Sequence, residues 1–237
     1  MDRTLEALGL ARAPREYPLT YPGAWPYTSG LLVGDRLLPL DDHVTYENRT
    51  PVLAIGSNAC PGQLRHKMAE FGITSPVPML KTRVTGIDVG VSAHVSRVGY
   101  VSASPVKAPG VVRELFMTWF DARQLAVVDA SEGAYDRMWL VGPEFRLEPD
   151  SGTLLRGAYV YVNRHGVLHD GTGVPRRHPG ERALLTELLG SSAALRALFG
   201  RTPEEFCERA RGDRELCERG TRLFREEGLV TASGLER

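Results

Sequence analysis

Gly56, Ser57 and Asn58 stand between the apolar run Val52–Ile55 and Pro61, and a single acid, Glu132, closes the stretch Val127-Val-Asp-Ala-Ser-Glu132. Small residues between a strand end and a helix start let successive backbone N–H groups face one concavity. There the positive end of the helix dipole attracts a carboxylate or an oxyanion. Gly-Ser-Asn is equally an ordinary turn, so this motif alone is unspecific. Glu132 falls where a short helix should end, and the negative helix end disfavours an ionised carboxylate, which suits a group that takes up and releases a proton. Gly133 lets the chain turn sharply behind it. Asp129 and Asp136 add negative charge nearby, whereas Arg137 is placed to pair with Glu132; the plain alternative is a solvated carboxylate at a helix end.

Other residues offer weaker chemistry. Cys60 sits at the helix start after the turn, where a dipole lowers a thiol pKa, so a cysteine nucleophile served by His66 or His94 is one option and a small buried residue the other. His165, His169, Asp170 and His178 surround a Gly-rich hairpin and not one helical face, which makes exposed loop histidines the simpler reading than a metal site. Tyr159 and Tyr161 share a strand face, and one of Tyr135, Tyr159 and Tyr161 is a candidate to line a pocket, with core or barrel-wall packing the simpler reading. Arg65, Arg97 and Arg137 are each a possible clamp for a substrate carboxylate or a surface charge.

The elements that must position these residues follow from pattern. Residues 1–50 carry Tyr17-Pro-Leu-Thr-Tyr-Pro-Gly-Ala-Trp-Pro-Tyr27, whose prolines forbid long helices and central strands, so they form an aromatic arm. Ser29–Leu32 and Arg36–Leu40 read as a strand pair around Val33-Gly34-Asp35. Val52–Ile55 is a strand, and Pro61 opens a helix to Phe71 with Gly72 as its stop. Val84–Val91, Gly99–Ser102 and Val111–Phe120 read as strands, enough to close a small barrel. Asp121-Ala-Arg-Gln124 has capping-box spacing and starts a helix over Ala122–Ala130 that delivers Glu132. Met138–Val162 is again β, ending in a hairpin-like Tyr159–Val167. Helical spacing returns in Glu181–Leu189, Ala193–Leu198, Pro203–Ala210 and Asp213–Glu227, which pack on the body or on a second copy as a homodimer.

Bulk properties bound the partners. Lys plus Arg and Asp plus Glu both number 29 in 237 residues, so no net field draws nucleic acid or an anionic membrane. No apolar run reaches a membrane span, and the N-terminal residues lack a signal-peptide core, which leads us to expect a cytoplasmic protein. Cys60, Cys207 and Cys217 form an odd set without CxxC spacing, arguing against disulfides and thiolate zinc.

Ala54-Ile-Gly-Ser-Asn-Ala59 resembles the YGSNL-type motif of the γ-glutamylcyclotransferase family. Val98-Gly-Tyr-Val-Ser-Ala-Ser-Pro, Pro109-Gly-Val-Val and Trp119-Phe-Asp-Ala-Arg-Gln-Leu-Ala-Val-Val-Asp-Ala-Ser-Glu-Gly are similar to that family's middle strands and its approach to an Asp-x-x-Glu-Gly element. The likeness runs from Val52 to Val162. It implies an α+β fold, a small mixed β-barrel with surrounding helices, over residues 51–175; the helical tail, 176–237, exceeds the family's compact members and is expected to pack on the same domain as a C-terminal extension. It implies a substrate-binding turn at Gly56, Ser57 and Asn58 and Glu132 as catalytic acid/base; Ile55 and Ala59, which flank the turn, and Tyr135 are further substrate-binding candidates. The implied reaction cyclises a γ-glutamyl amide to 5-oxoproline and a free amine, with no metal or organic cofactor. Amide hydrolysis, acyl transfer, or a non-catalytic binding module of the same fold are the alternatives. Departures fall around the turn: Ile55 replaces the family's Tyr, Ala59-Cys60 its Leu, and a strand glycine is missing from Arg113–Phe120.

Overall fold

The computed structural model describes residues 2–41, 44–152 and 154–236. Inside its sheet lies β3 (Thr50–Ala54), which pairs antiparallel with β5 (Val101–Phe120) and parallel with β8 (Ala158–Asn163). Both faces of β3 are covered, which explains its unbroken apolar run. Alternation sends Val52 and Ala54 to one core and Leu53 and Ile55 to another; Phe116 and Phe120 of β5 join the first, Leu115 and Met117 the second.

The expected pieces 84–91, 99–102 and 111–120 belong to two long antiparallel strands, β4 (Val77–Val95) and β5. Pro105, Pro109 and Gly110 suggested breaks, yet the ladder runs past them. The register jumps between the pairs Thr85↔Val112 and Gly86↔Ala108, so Pro109–Val111 sit in a bulge where a missing N–H costs no ladder bond. Gly86 takes the matching kink with φ +93°, and a Cβ there would lie 2.2 Å from the Glu144 carbonyl oxygen. The short pair β1 (Gly30–Val33) and β2 (Arg36–Leu38) forms as expected, with β1 also on β4.

The remaining strands are β6 (Tyr135–Leu140), β7 (Arg146–Pro149), β9 (Val167–Leu168) and β10 (Val230–Thr231). Tyr159–Val167 is not a hairpin: β8 pairs with β3 and β6, while β9 pairs with β4 and β10. A period-two pattern marks a strand but does not choose its neighbour. The sheet path ends at β10 and β6, and no pairing among the described residues joins them, so the α+β fold is present but the barrel is open. Edge strand β6 carries Asp136 and Arg137 outward, and charged side chains disfavour a further ladder.

Helices occupy the expected places: α1 (Pro61–Glu70), α2 (Ala122–Ser131), α3 (Glu181–Ser191), α4 (Ala193–Phe199), α5 (Pro203–Gly212) and α6 (Arg214–Glu226). The capping box at Asp121 and Gln124 is made in both directions. Leu184, Leu188, Phe199, Phe206 and Phe224 of the four C-terminal helices share a core with Val91, Val95 and Val101 of the long strands. The N-terminal arm buries Leu5 and Leu10 in the first core and Tyr21 in the second. Among the described residues no helix is long and apolar enough to cross a membrane.

Candidate active site

Ser57–Ala59 fold into one 3-10 turn, in which the Ala59 and Cys60 amides bond back to the Gly56 and Ser57 carbonyls. The Ser57 and Asn58 amides carry no bond among the described residues, as the first donors of a helical turn do. Ala59 is fully buried with its amide spent, so the expected role at the substrate is corrected: Ile55, Gly56, Ser57 and Asn58 line the cleft and Ala59 lies behind them. Glycine is required at 56, because a Cβ there would stand 2.2 Å from the Tyr21 hydroxyl.

On α1, Leu64, Lys67 and Met68 lie on the buried face by their three- and four-residue spacing. Leu64 and Met68 enter the core; Lys67, at its edge, points back towards the turn. Its ammonium donates to Asn58 Oδ1 at 2.9 Å, Ser131 Oγ at 2.7 Å and Glu132 Oε1 at 3.3 Å. Asn58 Nδ2 also donates to Glu132 Oε1, at 3.0 Å across 74 residues of chain. Side-chain exposure is 6% for Lys67 and 16% for Glu132. Lys67 therefore has every N–H donor used, and Glu132 Oε2 carries no hydrogen bond among the described residues.

Glu132 caps the C-terminus of α2 as expected. Its surroundings are otherwise rearranged. Arg137 pairs with Asp129 at 2.9 Å and lies over the Tyr159 ring, and Asp136 pairs with Arg164 at 3.0 Å. Gly133 has no positive φ and a Cβ there would meet nothing within 4 Å, so the turn does not need glycine.

Three phenols stand across from the acid. Tyr21 Oη accepts the Ala103 N–H at 2.8 Å and has no acceptor for its own proton among the described residues. Tyr135 donates to the Ala103 carbonyl at 2.9 Å and meets Ser102 Oγ at 2.6 Å. The rings of Tyr21 and Tyr100 are 4.4 Å apart. Burial, then the Glu132 charge, pushes the Tyr135 hydroxyl up to about 12 and raises Tyr100 as well; burial, then the neighbouring tyrosines, raises Tyr21. All three keep their protons near neutral pH and remain donors. The turn, the acid and the phenols share one cleft of about 1110 Å³.

Lys67, Tyr21 and Tyr100 were not singled out from the sequence. A lysine three residues after Leu64 and one before Met68, on an apolar helix face, was the available signal for Lys67. Tyr21 lay within the aromatic arm without anything to aim it. Other candidates fall elsewhere. Cys60 is fully buried, its thiol raised by burial, and its Sγ faces the Arg12 carbonyl, so it is a packing residue. His66 faces Glu16 at 3.7 Å, and Arg65 donates to the Ala11 carbonyl. His169 bonds the Gly228 carbonyl and His178 the Val101 carbonyl, and among the described residues no three His, Cys, Asp or Glu side chains are grouped to hold a metal. Tyr161 donates to Asp129 at 2.6 Å at the cleft margin, and Arg97 lines the cleft.

His94 stacks on His165 with ring centroids 5.1 Å apart, and its Nδ1 has no hydrogen-bond partner among the described residues. Burial, then the charges of His165, Arg164 and Arg97, pushes His94 down to about 4. A group whose folded value is depressed binds its proton first in the unfolded chain, so its share of stability is present above pH 6.5 and lost as pH falls towards 4. We expect urea titration to show wild type losing roughly 2 kcal/mol more than His94→Gln between pH 7 and 4.5. Equal losses would contradict this.

No protein-family profile and no curated protein sequence matches this chain. Several solved structures resemble part of it. A γ-glutamyl cyclotransferase aligns over 48% of this chain and 66% of its own, at 12% identity and TM-score 0.39. An Arabidopsis thaliana protein aligns over 48% and 62% at 14% identity and TM-score 0.36, and an uncharacterized Homo sapiens protein over 49% and 68% at 15% identity and TM-score 0.37. The chain thus spans just under two thirds of the length of the first two. At this level of likeness none of their properties transfers to this chain.

Proposed function

We propose that this chain cleaves γ-glutamyl amides by attack of the substrate's α-amine on its own γ-carbonyl, releasing 5-oxoproline and the free amine. The observation that carries the reading is the direct bonding of Asn58 and Lys67 to Glu132 Oε1, which joins the turn to the acid and leaves Oε2 of this cleft-lining residue without a hydrogen bond among the described residues. Glu132 Oε2 takes a proton from the α-ammonium group. The amine lone pair forms the N–C bond, and the carbonyl oxygen gains charge facing the Ser57 and Asn58 amides and the Tyr21 hydroxyl. Collapse breaks the γ-amide bond as Glu132 returns that proton to the leaving nitrogen; the attacking nitrogen then sheds its second proton by the same carboxylate, so the ring closes as a neutral lactam and the amine departs as an ammonium ion. Because attack occurs within one molecule, the protein need only fold the substrate and manage charge.

A panel of γ-glutamyl amines, γ-glutamyl amino acids and glutathione, followed by mass spectrometry, tests the reading. 5-Oxoproline is the expected product; free glutamate would mean hydrolysis, and no turnover would mean a binding module. Gly56→Ala should lower 5-oxoproline release roughly 10²-fold, since the new Cβ must displace the Tyr21 hydroxyl or the turn. Unchanged turnover in that variant would remove Tyr21 and the turn from the oxyanion role.

A further inference from the structure

The chain has no net charge, but the cleft does. Seven arginines and Lys67 line it against three glutamates. Each glutamate is already answered: Glu132 by Lys67, Glu70 by Arg15 at 4.0 Å and Glu218 by Arg214 at 2.9 Å. Arg97, in the turn between β4 and β5, and Arg222 and Arg225 on α6 are exposed along the wall, and their guanidiniums make no hydrogen bond or ion pair among the described residues. Arginines outside the cleft do find acids, as Arg182 finds Glu204 at 2.7 Å.

These three arginines line the same cleft. Arg222 and Arg225 are three residues apart on one face of a helix docked to β4 through Thr221, whose hydroxyl accepts the Val95 N–H at 3.0 Å. The stacked imidazoles of the same cleft feel several of these charges: His94 is lowered by burial, then His165, Arg164 and Arg97, and His165 by burial, then Arg225 and Arg164. Arg164 is partly spent, on Asp136 and on the Gly133 and Tyr135 carbonyls beside Glu132. Unpaired guanidiniums crowded on one concave wall repel one another, and an anion bound there removes that cost and gains charge-assisted hydrogen bonds. The cleft also exceeds what a γ-glutamyl group alone would fill.

We infer that Arg97, Arg222 and Arg225 form an anion subsite for the leaving half of the substrate, so that the amine released carries a carboxylate or phosphate. This rests on the γ-glutamyl reading of the same cleft. The test compares kcat/KM at low salt for γ-glutamyl-glutamate and γ-glutamyl-O-phosphoethanolamine with neutral γ-glutamyl-ethanolamine and cationic γ-glutamyl-putrescine. An acidic substrate should be preferred roughly tenfold or more, the better of the two naming the anion, and Arg222→Gln/Arg225→Gln should collapse that ratio towards one. Arg219→Gln, on α6 outside the cleft, should keep it. If 5-oxoproline forms without acidic preference, or the double variant retains the preference, the subsite is refuted while the reaction stands. If no substrate yields 5-oxoproline, the reaction fails and the leaving-group assignment with it. Calorimetry with O-phosphoethanolamine then decides the anion site alone: binding lost in the double variant supports it, and no binding to wild type overturns it.

Discussion

Glu132→Gln should abolish most 5-oxoproline release, by about 10²- to 10⁴-fold, because general acid–base transfer by one positioned group is worth that much. The amide keeps the shape of the carboxyl, and its oxygen still accepts from Asn58 Nδ2 and Lys67, which the wild-type carboxylate meets at 3.0 and 3.3 Å. What it loses is the ability to take a proton from the substrate ammonium and return it to the leaving amine. Lys67 loses its counter-ion, so thermal unfolding must be recorded beside the rate, and a folded but silent variant is the expected result. Full activity in Glu132→Gln would eliminate the mechanism.

Lys67→Met should cost both stability and rate. Methionine fills a similar volume but leaves Asn58 Oδ1, Ser131 Oγ and Glu132 Oε1 without the donor they share. Breaking a buried ion pair on one side typically costs 3–5 kcal/mol; since Glu132 is 16% exposed and water relieves part of this, about 3 kcal/mol is expected. Lys67 acts through Glu132, so kcat should fall at least tenfold with KM nearly constant. A double-mutant cycle separates positioning from mere stability. If the pair works as one unit, Lys67→Met added to Glu132→Gln costs little further rate, and the double variant is more stable than Lys67→Met alone. Additive rate losses would show that Lys67 acts independently of the acid.

Much of the local structure was legible from chain neighbours alone. The strand before Gly56, the helix from Pro61 to its stop at Gly72 with φ +62°, and the Asp121 capping box each depend on residues a few positions apart. So do three of the four C-terminal helices, α4, α5 and α6, whose caps at Ser192, Thr202 and Asp213 are made by the capping residues' own side chains. Partner choice was not legible. Pro105 and Pro109 looked like breaks because local propensity carries no information about a 20-residue ladder able to absorb them. The Tyr159–Val167 segment looked like a hairpin because it contains two strands and a turn.

At the candidate site the same division holds. The sequence alone determined that a small-residue turn follows a strand and that an acid ends the α2 helix, since both are set by local backbone chemistry. Tertiary structure decided that these two meet, that Lys67 and not Arg137 answers Glu132, and that Tyr21 arrives from the arm to overhang Gly56. It also decided that arginines scattered over positions 97–225 face one cleft. The physical reason is distance: hydrogen bonds and ion pairs act over a few ångströms of space, whereas these partners lie tens of residues apart in the chain, so only the packing that closes those loops selects which charges and donors become neighbours.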